Sequence, residues 1–141
     1  YGMVLPRFVR QALAEEDLTV YGDGTQTRCF AHVEDSVDAI LRLMAHEEAV
    51  GEVFNVGTSN EVTIAALAEQ VIERTGSGSR IRLVPYEEAY GEGFEELGRR
   101  KPDTSALERL TGWRPRRTVW DAIDDTIDYE RWSLAALRAV A

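Results

Sequence analysis

The sequence predicts an α/β domain made of short strands and several amphipathic helices. Two observations support this fold class. Short β-prone runs, such as 18–21 and 81–84, alternate along the chain with longer segments whose apolar residues recur at helical spacing. The chain is also 141 residues long, which is enough to bury a hydrophobic core. We therefore expect one domain over residues 1–141.

The first elements are a helix and a strand. Pro6 suits the first turn of a helix, and apolar residues follow it at helical spacing until Asp17. The run 18–21 is strand-like, and residues 22–24 read Gly-Asp-Gly. Because glycine adopts positive φ without steric cost, this tripeptide predicts a tight turn.

A second strand and a second helix are expected next. Residues 28–33 alternate weakly between polar and apolar side chains, as a strand does. From Asp35 to near Gly51 the spacing predicts a helix, and its apolar stripe consists of Val37, Ile40, Leu41 and Met44.

The middle of the chain predicts two further strands around a helix. The run 53–57 is continuously β-prone and typical of a strand buried on both faces of a parallel sheet. Thr63 is placed to cap a helix that ends before Gly76. The strand 81–84 follows, and residues 86–101 then form a long loop rich in acidic and aromatic residues.

Two helices are expected after the loop. Ser105 and Glu108 have the spacing of a capping box, and Gly112 is placed to end that helix. The last helix carries an apolar stripe of Val119, Ala122, Ile123, Ile127 and Trp132.

The composition argues against several classes of partner. The chain has 25 acidic and 16 basic side chains, a net charge of -9, and it repels polyanions. We therefore expect neither nucleic acid nor an anionic membrane as a partner. The single cysteine, Cys29, excludes an internal disulfide and fits a reducing compartment, so a cytoplasmic location is expected.

The strand and turn at 18–24 form a candidate binding edge. A strand edge offers backbone groups that can pair with a planar base, and Tyr21 adds a stacking face. The alternative is an ordinary β-hairpin with a buried tyrosine.

Basic side chains supply the second candidate. Arg28 lies among apolar neighbours, and its guanidinium suits a phosphate. An internal ion pair with Glu34 or Asp35 is the alternative. The run Arg99-Arg100-Lys101 ends the long loop, and it could equally be a solvated cluster that balances Glu95 and Glu96.

The remaining reactive side chains do not form a catalytic set. His32 and His46 lack the partner pattern of a metal site or a nucleophile triad, and both are interpreted as structural. Cys29 is interpreted as a small buried hydrophobe. The acidic residues of the long loop are interpreted as solvated.

Several motifs, in order along nearly the whole chain, resemble the C-terminal portion of an extended short-chain dehydrogenase/reductase, in the NAD-dependent nucleotide-sugar epimerase/dehydratase family. They are Pro6-Arg7-Phe8, the segment 18–30, His32-Val33-Glu34-Asp35, the segment 53–57, Arg100-Lys101-Pro102-Asp103 and Thr111-Gly112-Trp113-Arg114-Pro115.

The resemblance implies a Rossmann-type enzyme that binds a UDP-sugar or dTDP-sugar. It places residues 18–21, including Leu18, Val20 and Tyr21, along the base, and Arg28 and Arg100 on the diphosphate. Tyr86 and the loop from Tyr90 to Phe94 look most like the UDP-glucuronate decarboxylase branch, in which a tyrosine lies by the base and the arginine matching Arg100 assists the chemistry. UDP-glucose 4-epimerases and dTDP-glucose 4,6-dehydratases share the other motifs.

The sequence departs from the family in two ways. It has no Gly-x-x-Gly-x-x-Gly turn, which lets a helix N-terminus approach the NAD pyrophosphate, and no catalytic Tyr-x-x-x-Lys pair. We therefore expect a portion of an enzyme whose intact form holds NAD, inactive by itself and without NAD affinity. Exposed apolar surface then favours self-association. The alternatives are a non-catalytic binding module and a purely structural or interaction module.

Overall fold

A computed structural model describes residues 3–91, 93 and 97–140. The helices are α1 (Val4–Leu13), α2 (Val33–Met44), α3 (Ile64–Thr75), α4 (Tyr86–Tyr90), α5 (Ser105–Thr111) and α6 (Val119–Val140), with a 3-10 turn at Glu47–Ala49. The strands are β1 (Leu18–Tyr21), β2 (Thr27–Cys29), β3 (Glu61–Thr63) and β4 (Ile81–Val84). The predicted α/β class is confirmed.

The described strands pair as two separate two-stranded sheets. β1 and β4 are parallel, with Leu18 opposite Ile81, and β2 and β3 are antiparallel, with Thr27 opposite Thr63. The consecutive strands β1 and β2 therefore belong to different sheets. The hairpin alternative for residues 18–30 is wrong.

The main core lies between α1, β1, α3 and α6. Its fully buried side chains include Phe8, Leu18, Val20, Leu67 and Ile123. A second cluster forms where Ala39 of α2 meets Leu107 of α5 and Trp113, with Phe54 and Val56 packed against it. Both clusters combine residues far apart in sequence, so the helices fix the positions of the two small sheets.

The predicted helix ends are confirmed in α3 and corrected in α5. Thr63 Oγ1 accepts the Ala66 N–H at 3.1 Å, and Gly76 closes α3 with φ +70°. In α5 the predicted capping box is wrong, because Ser105 is already the first helical residue and its N–H donates to Asp103 Oδ1 at 2.9 Å. Gly112 ends α5 in the left-handed conformation, as predicted.

The second predicted strand is shorter than the sequence suggests. It ends at Cys29 instead of residue 33, because Val33 is the first residue of α2. His32 Nδ1 accepts the Glu34 N–H at 3.2 Å and so caps that helix.

The predicted strand at 53–57 is not formed. None of the described strands lies beside this segment to complete a hydrogen-bond ladder, and Val53 is 90% exposed. The short elements β3 and α4 were not predicted.

Trp132 of α6 is 67% exposed, so its predicted place in the buried stripe is wrong, whereas Ile123 and Ile127 are buried as predicted. No helix within the described residues is long and apolar enough to cross a membrane.

Candidate functional site

Three tyrosines, two arginines and a glutamine are among the residues around a small cavity, which we call the tyrosine pocket. Its volume is about 190 Å³. The lining residues belong to α1, β1, β2, α3 and α4 and to the segment that leads into β2. They are Val4, Arg7, Tyr21, Gln26, Arg28, Ile64, Tyr86 and Tyr90.

The tyrosine rings form one aromatic wall. The Tyr21 and Tyr90 rings meet edge to face with centroids 5.3 Å apart, and the Tyr86 and Tyr90 centroids are 6.3 Å apart. The Tyr86 ring lies so close to Gly22 that a Cβ at that position would be 2.4 Å from Tyr86 Cε2. The glycine of the predicted turn therefore makes room for the aromatic wall.

A second cavity, which we call the basic groove, adjoins the tyrosine pocket. It has a volume of about 570 Å³ and is lined by Arg28, Cys29, Arg99, Arg100, Lys101 and Pro102. Arg28 lines both cavities. The structure thus places an aromatic cavity next to a cluster of positive charge, with one guanidinium at their junction.

Glu61 of β3 organises one side of the basic groove. Its carboxylate accepts hydrogen bonds from Arg99 Nε at 2.7 Å, Arg99 Nη2 at 2.6 Å and Thr27 Oγ1 at 2.9 Å. The Arg99 hydrogen bond, and then the Thr27 hydrogen bond, hold the pKa of Glu61 at about 2. Arg99 is thus balanced by Glu61, and Glu95 and Glu96, proposed as its balance, lie outside the described residues.

Asp35 and Glu34, the two partners named in the ion-pair alternative for Arg28, bond to other residues. Asp35 Oδ2 instead accepts the backbone N–H groups of Arg116 and Arg117, at 3.1 and 2.9 Å. Glu34 pairs with the Arg117 guanidinium. Arg28 itself donates from Nη1 to the Thr27 carbonyl at 2.6 Å.

The structure brings together most of the site residues expected from the sequence. Tyr21, Arg28 and Tyr90 line the tyrosine pocket, and Arg28 and Arg100 line the basic groove. Glu92 and Phe94, from the predicted loop, lie outside the described residues.

Leu18 and Val20 differ from the other expected site residues, because their side chains are fully buried in the main core. Only their main chain is left for a ligand. At the neighbouring residue, Thr19, the N–H donates to Gln11 Oε1 at 3.1 Å and the carbonyl accepts from Arg7 Nη2 at 3.0 Å. The strand edge at this position is therefore already occupied by α1.

Sequence reasoning missed two residues that line the tyrosine pocket, Arg7 and Gln26. The Arg7 guanidinium lies 4.4 Å from the centroid of the Tyr21 ring. Arg7 stands in the motif Pro6-Arg7-Phe8, but no role was predicted for it; the further signal was a charged residue between the apolar Leu5 and Phe8 of α1, both of which are buried. Gln26 lies in the motif segment 18–30, but no role was predicted for it, because nothing in a glutamine between two threonines distinguishes it from a loop residue.

The interpretation of His32 from the sequence is confirmed, whereas that of Cys29 needs correction. His32 is structural, as predicted: Nδ1 caps α2, so Nε2 carries the proton and donates to Asp125 Oδ2 at 2.9 Å. Cys29 is only partly buried and lines the basic groove, which corrects its interpretation as a core residue. Desolvation, with Glu61 nearby, raises the pKa of its thiol and so disfavours a nucleophilic thiolate.

The structure is an α/β domain in which two adjoining cavities, one aromatic and one basic, form a single candidate ligand site. The sequence model of the NAD dependent epimerase/dehydratase family matches residues 1–57. Over 131 residues the chain is 41% identical to the UDP-N-acetyl-alpha-D-glucosaminuronate decarboxylase of Bacillus cytotoxicus, covering 93% of this chain and 40% of that protein. Over 115 residues it is 42% identical to UDP-glucuronic acid decarboxylase 4 of Arabidopsis thaliana, covering 82% of this chain and 24% of that protein.

Solved structures agree with these relatives. The UDP-glucose 4-epimerase of Thermotoga maritima, solved with UDP-glucose, superposes with a TM-score of 0.82 at 28% identity, over 95% of this chain and 41% of that one. The dTDP-glucose 4,6-dehydratase of Bacillus anthracis, solved with NAD, has a TM-score of 0.77 at 29% identity, over 92% of this chain and 39% of that one. The family resemblance is confirmed: the chain is similar, over nearly its whole length, to part of the NAD-dependent epimerase/dehydratase enzymes of the extended short-chain dehydrogenase/reductase type. It spans about 40% of the length of most of these proteins.

Proposed function

We propose that this chain supplies the nucleotide-binding part of the substrate site of an NAD-dependent enzyme that acts on a UDP-sugar or dTDP-sugar. The observation that carries the proposal is the junction of the tyrosine pocket and the basic groove at Arg28. A nucleoside diphosphate has the same layout, with a planar apolar ring at one end and two phosphates at the other.

The two cavities divide the ligand between them in this proposal. The base lies against Tyr21 and Tyr90, because aromatic faces stack on heterocycles. The diphosphate lies across Arg28 and Arg100, since a guanidinium binds phosphate oxygens through paired hydrogen bonds. In a chain of net charge -9, this local concentration of arginine selects an anionic ligand at one place.

The reaction belongs to the whole protein. In the whole protein, NAD would supply the hydride-transfer chemistry on which decarboxylation, epimerisation or dehydration of the sugar would depend. The chain carries neither the glycine-rich turn nor the Tyr-x-x-x-Lys pair, so its residues do not fit NAD. We propose that it binds and orients the sugar nucleotide, with Arg100 assisting beside the sugar, and that it is inactive alone.

The decarboxylase branch is the one we favour. The two curated relatives named above, at 41% and 42% identity, are both decarboxylases of UDP-linked uronic acids. The whole protein is then proposed to act on a UDP-uronic acid. A UDP-sugar mixture offered to the whole protein tests this, and carbon dioxide release from the uronic acid is the expected result.

Calorimetric titration of this chain with UDP, dTDP and NAD tests the binding proposal. We expect UDP or dTDP to bind and NAD not to bind, and we expect Arg28→Ala and Arg100→Ala each to weaken nucleotide binding at least about tenfold. Arg82→Ala is the matched control, because Arg82 is an exposed arginine on β4 outside both cavities.

The outcomes separate the two alternative functions. Nucleotide binding by a whole protein without activity on any UDP-sugar supports a non-catalytic binding module. No nucleotide binding by this chain, with unchanged stability of Arg28→Ala, supports a purely structural or interaction module.

We further propose that the chain self-associates through α2. Four apolar side chains of that helix are exposed, Val37, Ile40, Leu41 and Met44, by 48% to 78%. Exposed apolar surface of this kind marks an interface in soluble domains.

A further inference from the structure

Two of the cations that line the basic groove are tied to one acidic side chain. Arg99 donates to the Glu61 carboxylate from both Nε and Nη2, at 2.7 and 2.6 Å. Lys101 Nζ lies 3.8 Å from Glu61 Oε2. These are the two cations that the proposed function leaves unused, because it assigns the diphosphate to Arg28 and Arg100. Glu61 therefore lowers the positive charge of the groove outside the proposed diphosphate site.

The Glu61 carboxylate is fixed on the side of the basic groove away from the tyrosine pocket. Glu61 lies opposite Cys29 in the β2–β3 pair, and Cys29, Arg99 and Lys101 line the basic groove without lining the tyrosine pocket. Thr27 Oγ1 also donates to the carboxylate, at 2.9 Å, and the Glu61 pKa of about 2 keeps the carboxylate ionised near neutral pH. A ligand whose base lies in the tyrosine pocket therefore meets this negative charge at its phosphate end.

We propose that Glu61 selects a sugar-linked diphosphate over a free nucleotide. It occupies two of the donors that Arg99 could offer to a phosphate, and it repels additional negative charge at that end of the groove. The inference rests on the proposed function, because it takes the ligand to be a UDP-sugar or dTDP-sugar. It adds a specificity-determining residue that lines neither cavity and acts through Arg99.

The two kinds of ligand differ in the charge of the terminal phosphate. In a sugar nucleotide each phosphate of the diphosphate carries one negative charge. In a free nucleoside diphosphate the terminal phosphate ionises a second time with a pKa of about 6, so the ligand carries nearly one further charge above neutral pH. A groove with only positive side chains would favour the more highly charged free nucleotide. With Glu61 present, the further charge brings no added affinity.

Two ligands that differ by one methyl group separate this charge from contacts to the sugar. They are UDP and its methyl ester on the terminal phosphate, which has the charge of a sugar nucleotide but no sugar. Both are titrated into this chain by calorimetry at about pH 8, where the terminal phosphate of UDP is fully ionised. We expect UDP to bind no more than about fivefold tighter than the ester. A larger preference for UDP in the unaltered chain would overturn the proposal.

Glu61→Gln removes the charge but keeps the length of the side chain and an oxygen that can accept from Thr27. In this variant we expect UDP to gain at least about fivefold over its methyl ester, because Arg99 is released and the repulsion is lost. Adding Arg99→Gln is expected to remove most of that gain, since Arg99 lies closer to the carboxylate than Lys101 does.

Asp124→Asn is the matched control. It removes a carboxylate that is paired with another arginine, Arg74, and it changes the net charge of the chain by the same amount. Because Asp124 lines neither cavity, the ratio of the two ligand affinities should not change in this variant.

A pH series distinguishes selection by charge from a change in the shape of the groove. At about pH 5 the terminal phosphate of UDP carries nearly the same charge as the methyl ester, whereas Glu61, with a pKa of about 2, is still ionised. The raised pKa of the Cys29 thiol keeps that group neutral over this range. We therefore expect the gain of Glu61→Gln to be present at about pH 8 and largely absent at about pH 5.

The failures of the two proposals are distinguishable. If folded Glu61→Gln keeps the affinity ratio of the unaltered chain, or if its gain is equal at both pH values, the nucleotide site stands and selection by Glu61 is overturned. A gain that is retained in full when Arg99→Gln is added overturns the action through Arg99. If neither UDP nor its methyl ester binds, both proposals are overturned. If Glu61→Gln fails to fold, the comparison of the two ligands in the unaltered chain decides the question.

Discussion

Glu61 and Arg99 form a two-point ion pair that ties the end of the long loop to β3, with both arginine nitrogens within 2.7 Å of the carboxylate. The Thr27 N–H also donates to the Gly98 carbonyl at 2.8 Å, and Thr27 Oγ1 donates to the same carboxylate. The segment that carries Arg100 is therefore held against β2, the strand that carries Arg28. The Glu61 side chain therefore sets the distance between Arg28 and Arg100.

The first prediction concerns the pH dependence of stability at Glu61. Its pKa falls from the usual 4.5 to about 2 in the folded chain. Because the folded pKa is depressed, the stabilisation is fully present above pH 4.5 and is lost as the pH falls through about 2. We expect Glu61→Gln to melt at a lower temperature than the unaltered chain at neutral pH, and we expect the difference to shrink between these two pH values.

Asp124→Asn is the matched control for that experiment. It removes the carboxylate of another ion pair, in which Asp124 Oδ2 of α6 lies 2.5 Å from Arg74 Nη1 of α3. Neither residue lines the basic groove. Melting curves of all three proteins over the acid range are compared. A Glu61→Gln difference that stays constant with pH would contradict the assignment.

The second prediction concerns Gly22 and the aromatic wall. Gly22 has φ +73°, and an added Cβ would be 2.4 Å from the Tyr86 ring, whereas Gly51 has φ +83° and open space around it. Alanine at either position carries the strain of positive φ, about 1 to 2 kcal/mol. We expect Gly22→Ala to lose more unfolding free energy than Gly51→Ala, because it must also displace Tyr86. Chemical denaturation of the pair measures this, and equal losses would show that Tyr86 yields without cost.

The third prediction concerns the cap of α2. His32 is 3% exposed, and its two ring nitrogens bond the Glu34 N–H and Asp125. His32→Ala is expected to lower the unfolding free energy by about 1 to 3 kcal/mol, from the lost cap and the lost buried volume. His32→Asn restores an acceptor at the cap and should recover part of the loss. His46→Ala serves as the control, because the His46 side chain does not cap the 3-10 turn that follows it. If His46→Ala loses as much unfolding free energy as His32→Ala, the result counts against the cap.

The sequence predicted most of the described helices and three of the four described strands, one of them too long, and the exceptions have physical causes. Helix periodicity and caps are local, so Thr63 and Gly76 marked the ends of α3 correctly. A β-strand forms only when another strand lies beside it to complete its hydrogen bonds, and composition alone does not show whether such a neighbour exists. The β-prone run 53–57 remains unpaired among the described strands, whereas the three-residue β3 forms because β2 lies beside it.

The residues of the candidate site were also predicted only in part. Motif residues such as Tyr21 and Arg28 were found, since their chemistry is visible in the sequence. Arg7 also lies in a motif, but its role in the site was not predicted, because its position there depends on how α1 packs against β1. The apolar stripe of α2 predicted that a helix forms but placed its end near Gly51, whereas α2 ends at Met44. The stripe also did not indicate which side faces the core, where Asp35 and Ala39 are the buried residues.

The last prediction follows from that exposed stripe. Ile40 and Leu41 of α2 are 52% and 60% exposed, and neither packs in a described core cluster. Because burying such side chains between two copies removes apolar surface from water, we expect the chain to form dimers or larger species as its concentration rises. Leu41→Glu should keep it monomeric without loss of stability, since the new charge is solvated in the monomer and buried in the associated form. Sedimentation velocity over a range of concentrations measures both proteins.

Leu83→Glu, at a leucine on β4 with 55% exposure, should associate as the unaltered chain does. A chain that remains strictly monomeric at high concentration, or association that is equally lost in both variants, would show that α2 is not the self-association surface.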